Sequence, residues 1–214
     1  MIMEGIRNID CLKLPDRSSG CSFLIMGSTR SGKTTMMNYI YDSIFKNHIT
    51  VLHTYSSQAS IYRGISKSCL ICPQFYPELI DDTYKINKKT DNEYEFLHII
   101  DDVVDNKNDP QIKRLLTILR NSRISGIITG QSLTIFNNIA RGNINYVLLG
   151  YLNSDAAVEQ CIKAYLLSYF PTKMNMIDKI KRYRELTSDH HFFVIDNIHG
   201  EIFRTKLLHS QLTS

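Results

Sequence analysis

No stretch of the 214-residue sequence approaches the ~20 consecutive apolar residues that a membrane-spanning helix needs. The opening residues, MIMEGIRNID, lack the apolar segment of a secretory signal. Both absences lead us to expect a soluble, intracellular protein with no membrane partner. Cysteine is scarce and odd in number, with five at positions 11, 21, 69, 72 and 161. Such usage suits reduced thiols better than a disulfide framework. Cys69 and Cys72 form a C-x-x-C pair, but no second pair follows at zinc-ribbon or zinc-finger spacing. SCLICPQF reads instead as a buried strand ending at Pro73. An excess of charge is also missing: 25 Lys and Arg against 21 Asp and Glu leave +4, too little to name a nucleic-acid partner. Internal repeats and low-complexity linkers are absent as well, which argues for one domain over 1–214 with a polar lead-in at 1–20.

What is present is a core-forming sequence in which 43% of residues are hydrophobic. A chain of this length buries roughly 70% of its unfolded surface, so no metal or disulfide staple is required. SFLIM (22–26) reads as a central strand, and a glycine-bounded loop leads to TTMMNYIYDSIF (34–45), whose apolar positions follow helical spacing. Met36 and Met37 fall on its core side. ITVLHTYS (49–56) is β-branched and aromatic, hence a second strand. Residues 57–91 show little regularity apart from a short strand near Cys69–Cys72. EFLHII (95–100) is a strand running into Asp101 and Asp102. Asp109 and Pro110 open a one-sided helix over 111–123 as cap and first-turn pair. GIITG (126–130) is a strand ending at Gln131, and NYVLLGYL (145–152) is another. A helix follows, opened by Asn153, Ser154 and Asp155. HFFVIDNIHGEIFRTK forms a closing hairpin. Strands alternating with helices imply an α/β fold: a mostly parallel sheet covered on both faces, three layers deep.

Between the first strand and first helix stands Gly27-Ser28-Thr29-Arg30-Ser31-Gly32-Lys33-Thr34, a full match to G-x-x-x-x-G-K-S/T in the context that gives the motif its meaning. The glycines let backbone N–H groups curl around phosphates, the helix N-terminus adds its positive dipole end, and Lys33 reaches the outer phosphates. Gly27 to Thr35 are the nucleotide-binding set, with Thr34 also a Mg²⁺ ligand. The partner carboxylate comes from EFLHIIDD: Asp101 on the metal side, Asp102 as general base for the attacking water. Gln131 ends the next apolar strand, where an amide can sense the γ-phosphate. Phosphate loop, acidic pair and Gln131 all belong to the carboxyl edge of a parallel sheet, where such sheets bind ligands. Arg120 and Arg123 lie between the last two elements. Either can act as an arginine finger or simply suit a helix C-terminus. His190 and His191 precede a strand without a carboxylate or cysteine at metal-ligand spacing.

The segments SFLIMGSTRSGKTT, FLHIIDDVVDN, LRNSRISGIITGQSL and NYVLLGYLNSDA, in that order, resemble the poxvirus-type genome-packaging ATPases of large DNA viruses and their mobile-element relatives. These are FtsK/HerA-superfamily P-loop motors of RecA/ASCE type. The resemblance spans roughly residues 12–206. It implies ATP and Mg²⁺ as cofactors, with Lys33, Asp102, Gln131 and Arg120 as catalytic residues and Thr34 and Asp101 at the metal. Arg120 matches the arginine that acts in trans, and Arg123 stands close by as an alternative. The resemblance further implies a homo-oligomeric, hexameric ring that threads double-stranded DNA into a preformed capsid. Capsid or portal-vertex proteins would be its partners, and the site of virus assembly or the virion its location. Lys85, Lys88 and Lys89, in the irregular KINKKT loop, are the densest basic cluster for DNA. Two other readings of the phosphate loop stay open: a nucleotide-binding structural or adaptor protein without turnover, and a nucleoside or nucleotide kinase.

Overall fold

The computed structural model describes residues 2–9, 12, 19–56, 59–62, 64–65, 69–102, 109–117, 119–133 and 142–207. The strands are β1 (Ile2–Ile6), β2 (Ser22–Met26), β3 (Ile49–Thr54), β4 (Cys69–Cys72), β5 (Phe96–Asp101), β6 (Ile124–Gly130), β7 (Tyr146–Leu149), β8 (His191–Asp196) and β9 (Glu201–Lys206). The helices are α1 (Lys33–Ile40), α2 (Pro77–Lys89), α3 (Pro110–Thr117), α4 (Asp155–Cys161) and α5 (Met176–Thr187). Single π-helical turns, Tyr41–Phe45 and Ile162–Leu166, extend α1 and α4. Short 3₁₀ turns occupy Ala59–Tyr62 and Leu119–Ser122. No helix among the described residues is long and apolar enough to cross a membrane.

The strands join one sheet in the order β1-β9-β8-β7-β2-β6-β5-β3-β4. All neighbours are parallel except β7 with β8 and β8 with β9. The closing hairpin is therefore present, and the fold is the expected α/β class. The central strands are buried along their whole length, which is why they read as continuous apolar runs and not as alternating patterns. Successive residues nevertheless feed opposite faces. Leu24, Ile100, Ile128 and Val147 pack with α2, α3, α4 and α5. Phe23, Ile25, Ile99, Ile127 and Leu148 pack with α1 and Tyr62. Each such side chain contributes about 1.5–3 kcal/mol on burial, and the two cores clamp β2, β5 and β6 so that their carboxyl ends stay in line.

Four expectations need correction. The polar lead-in contains a strand, β1, which runs parallel to β9. Cys69–Cys72 is an edge strand and not a buried one, with Leu70 54% and Ile71 40% exposed. Lys85, Lys88 and Lys89 stand on α2 and not in a loop, and Lys85 is paired with Asp81 and Asp82. The helix expected over 111–123 ends at Thr117, and a 3₁₀ turn replaces its last part. Its cap is as expected: Asp109 accepts from the N–H of Gln111 at 2.8 Å. Cys11 and residues 103–108 lie outside the described residues.

Beneath α2 sits a fully buried histidine pair. The His53 and His98 rings meet at 3.3 Å, Nε2 to Nδ1. Thr83 Oγ1 donates to the Ile80 carbonyl, so it accepts from His98 Nε2 at 2.9 Å. The Tyr76 N–H points at His53 Nδ1 from 3.4 Å. These contacts suit two neutral rings. Burial pushes His53 down to about 4, against weaker opposing effects of the Gln74 backbone and Glu78. Burial, helped by His53, pushes His98 down to about 3. In the unfolded chain both titrate near 6.5, so between that value and about 4 the unfolded state binds more protons. The contribution of the pair to stability is whole above pH 6.5 and is lost as pH falls toward 4, at about 1 kcal/mol per pH unit for each ring. The urea midpoint should accordingly drop between pH 7 and pH 5, and His98→Leu should flatten that drop. An equal drop in the variant would show that other groups carry it.

Candidate functional site: the phosphate loop and the carboxyl edge

β2 stops at Met26 because the next residues turn away from the sheet to form the loop. The loop is tied on both sides. The Gly27 N–H donates to the Gly130 carbonyl of β6 at 3.1 Å. Ser28 is held to the segment after β7 by its N–H to the Tyr151 carbonyl and by its hydroxyl, which accepts from the Asn153 N–H, both at 2.8 Å. A Cβ on Gly27 would lie 2.2 Å from Ser31 Oγ, so a side chain here would force Ser31 to move. Gly32 caps α1 in a left-handed conformation, φ 93°. A Cβ there would be strained and would press on Leu207 and His190. His190 Nδ1 lies 3.3 Å from the Ser31 carbonyl, so the turn before β8 braces the loop from behind. His190 and Asp189 both adopt positive φ to make that turn.

Lys33 is 6% exposed. Its ammonium sits 3.3 Å from the Ser28 carbonyl and 3.6 Å from Asp102 Oδ2, so it spans the loop to the acidic pair. Asp102 itself is half-exposed and has φ 50°. Burial raises its carboxyl above the usual range; Lys33 opposes this and Asp101 reinforces it. Asp101 is buried. Its Oδ1 accepts from Thr129 Oγ1 and its Oδ2 from Tyr62 OH, each at 2.5 Å.

Gln131 is exposed directly after β6, beside the strand that carries Gly130. The structure thus brings Gly27 to Thr35, Asp101, Asp102 and Gln131 to one edge of the sheet. Arg120 lies elsewhere. Its carbonyl accepts from the Gly20 N–H at 2.7 Å, at the amino ends of β2 and β6. The length of β6 separates it from the phosphate loop, about 20 Å at ~3.3 Å per residue. Arg123 is committed to structure: it pairs with Glu95 at 2.6 Å and donates to the Asn92 and Glu93 carbonyls.

A cleft of about 320 Å³ opens beside the loop, lined by Arg30, Tyr151, Asn153, Thr187 and His190 among others. It lies toward β7 and β8, whereas the acids lie toward β6 and β5, on the far side of β2. The residues suit a Mg-nucleotide. Ser31 Oγ is a buried hydroxyl with no partner among the described residues, and Thr34 with the Asp101 carboxylate offers hard oxygen donors. Sequence reasoning missed Tyr62, Thr129 and His190. Single polar residues far from the motif carry no local signal, and only the tertiary fold brings them to it.

This sheet order and phosphate loop define a protein with the P-loop ATPase fold. No protein-family profile matches the chain, and no curated protein matches it in sequence. Solved structures do match. The genome-packaging NTPase B204 of Sulfolobus turreted icosahedral virus 2, in complex with AMPPCP, is 15% identical, with a TM-score of 0.63 over 89% of this chain and 99% of that one. B204, the DNA-packaging ATPase of Sulfolobus turreted icosahedral virus, is 16% identical, with a TM-score of 0.64 over 90% and 98%. The pCW3 conjugation coupling protein TcpA, with ATPγS, is 14% identical, with a TM-score of 0.58 over 89% of this chain and 60% of that one. These likenesses are of fold.

Proposed function

We propose that the chain is an ATP-hydrolysing, DNA-translocating motor that packages viral double-stranded DNA into a preformed capsid. The observation that carries this reading is Lys33 poised between the phosphate loop and Asp102, on a fold shared with B204, a DNA-packaging ATPase. ATP would lie across the carboxyl edge, with its phosphates in Gly27 to Thr35, its γ-phosphate toward Asp102 and Gln131, and its nucleoside toward the cleft by β7 and β8. Thr34 and Asp101 would hold Mg²⁺, which supplies charge neutralisation of the phosphates. Asp102 takes a proton from the attacking water. Its raised carboxyl brings it nearer the operating pH, where a general base is most effective. Gln131 senses the γ-phosphate.

Arg120 would serve a neighbouring subunit. Its place on the amino edge makes it useless to its own site and available to the next, as in a head-to-tail ring. Arg123, held by Glu95, is not free for that role. Such a ring, hexameric by the resemblance, would surround duplex DNA. Lys88 and Lys89 are candidate contacts from the exposed last turn of α2, and capsid or portal-vertex proteins would dock the ring at the assembly site. The test is phosphate release from ATP and Mg²⁺ by the purified protein, with and without duplex DNA. Hydrolysis stimulated by DNA is the expected result. Tight ATP binding without release under any DNA condition would favour the adaptor reading, and transfer of the phosphoryl group to a nucleoside would favour a kinase.

A further inference from the structure

Thr54, Asp101 and Thr129 stand side by side on three adjacent strands. The β3–β5 register pairs Thr54 with Asp101. The β5–β6 register pairs Ile99 with Ile127 and Ile100 with Ile128, which brings Asp101 alongside Thr129. All three point to the face that carries α1, where Tyr62 is also buried. The result is a row of hydroxyls on both sides of one carboxylate. With Asp101 ionised, every proton in the row has one place. The Ser56 N–H donates to Thr54 Oγ1 at 3.0 Å, Thr54 donates to Tyr62 OH at 2.9 Å, and Tyr62 donates to Asp101 Oδ2. On the other side the Asp102 N–H donates to Thr129 Oγ1 at 3.1 Å, and Thr129 donates to Asp101 Oδ1.

Thr129 therefore touches both acids. It fixes one oxygen of Asp101, and it anchors the backbone of Asp102, whose left-handed conformation brings the carboxylate within 3.6 Å of Lys33. Thr129 also stands on β6 two residues before Gln131, which directly follows the strand. We propose that Tyr62 and Thr129 are positioning residues of the site. Their hydroxyls would orient Asp101 toward the metal, and Thr129 would couple the Gln131 end of β6 to the direction of the Asp102 carboxylate. A shift of β6 on loss of the γ-phosphate would then move both acids together. This inference rests on the ATPase reading above.

The test compares wild type, Thr129→Val, Thr129→Ser and Tyr62→Phe in two assays. One is steady-state ATP hydrolysis. The other is Mn²⁺ binding in the presence of the non-hydrolysable analogue AMPPNP, followed by electron paramagnetic resonance. Thr129→Val should lower kcat and weaken Mn²⁺ binding roughly 10–100-fold, the usual effect of losing a partner that orients a metal ligand. KM for ATP should stay within about twofold, since the phosphate loop is untouched, and Thr129→Ser should recover most of both losses. Tyr62→Phe should weaken Mn²⁺ binding in the same direction, and it carries the test if Thr129→Val does not fold. Wild-type hydrolysis together with unchanged kcat and Mn²⁺ affinity in Thr129→Val and Tyr62→Phe would overturn the positioning role and leave the ATPase reading intact. A wild type that neither binds Mn²⁺ with AMPPNP nor hydrolyses ATP would overturn both.

Discussion

Lys33→Ala should cut ATP hydrolysis at least ~10³-fold, the scale on which charge stabilisation of a transferring phosphoryl group acts. The ammonium is buried at the start of α1, with the Ser28 carbonyl at 3.3 Å and Asp102 at 3.6 Å as its polar neighbours. An incoming triphosphate competes with those two neighbours and places far more negative charge within reach. Alanine removes the cation that, among the described residues, sits in the loop interior. It also removes the charge that holds the Asp102 carboxyl down, so that burial and Asp101 raise it further. Both consequences act on the chemical step. Phosphate release by purified wild type and variant decides the matter, with thermal unfolding as the control for folding. A residual rate within tenfold of wild type would remove Lys33 from the site.

Asp102→Asn should lower kcat by roughly 10²–10⁴, the worth of a positioned general base. Nucleotide affinity should hold or improve, because a carboxylate facing the phosphates becomes a neutral amide of the same shape. The acid limb of the wild-type rate carries the same signature. As the proposed base, Asp102 would act only when ionised, and its carboxyl is raised, so activity should begin to fall at a higher pH than an ordinary aspartate would give. The same variant tests the ring. Asp102→Asn protomers keep Arg120, and Arg120→Ala protomers keep Asp102, so mixing them should restore part of the lost activity if Arg120 acts across subunits. No recovery, with Arg120→Ala alone fully active, would remove the trans role.

Much of the molecule is local information. The phosphate loop was legible because its conformation is dictated by its own glycines and by the strand and helix that abut it. The buried strands were legible from β-branched and apolar runs, and the hairpin from its turn. Helix α2 was missed although its cues are present: Pro77 at the first position, Glu78 in the first turn and Lys88 with Lys89 in the last. Its apolar face is narrow, since Thr83 and Asn87 occupy buried positions that a hydrophobic pattern would need. Both are polar for a reason visible only in three dimensions. Thr83 completes the histidine pair, and Asn87 ties the Tyr94 and Ser122 carbonyls to α2. Polar residues that satisfy buried partners look like surface to any reading of periodicity.

The choice between Arg120 and Arg123 was open in the sequence, where three positions separate two similar side chains. The fold adds a difference that the sequence does not carry: Arg123 is ion-paired at 2.6 Å with Glu95, the residue before β5. The environment of Asp101 has the same origin. By itself the sequence determined that a phosphate loop sits between strand and helix, that an acidic pair ends a later strand, and that the sheet is largely parallel. Which hydroxyls hold the acids was decided only by the fold. Tyr62 is 39 residues from Asp101 and Thr129 is 28. Parallel strands are joined by long crossovers, so their register follows from how the connecting helices pack on the two cores and not from any short-range pattern in the chain.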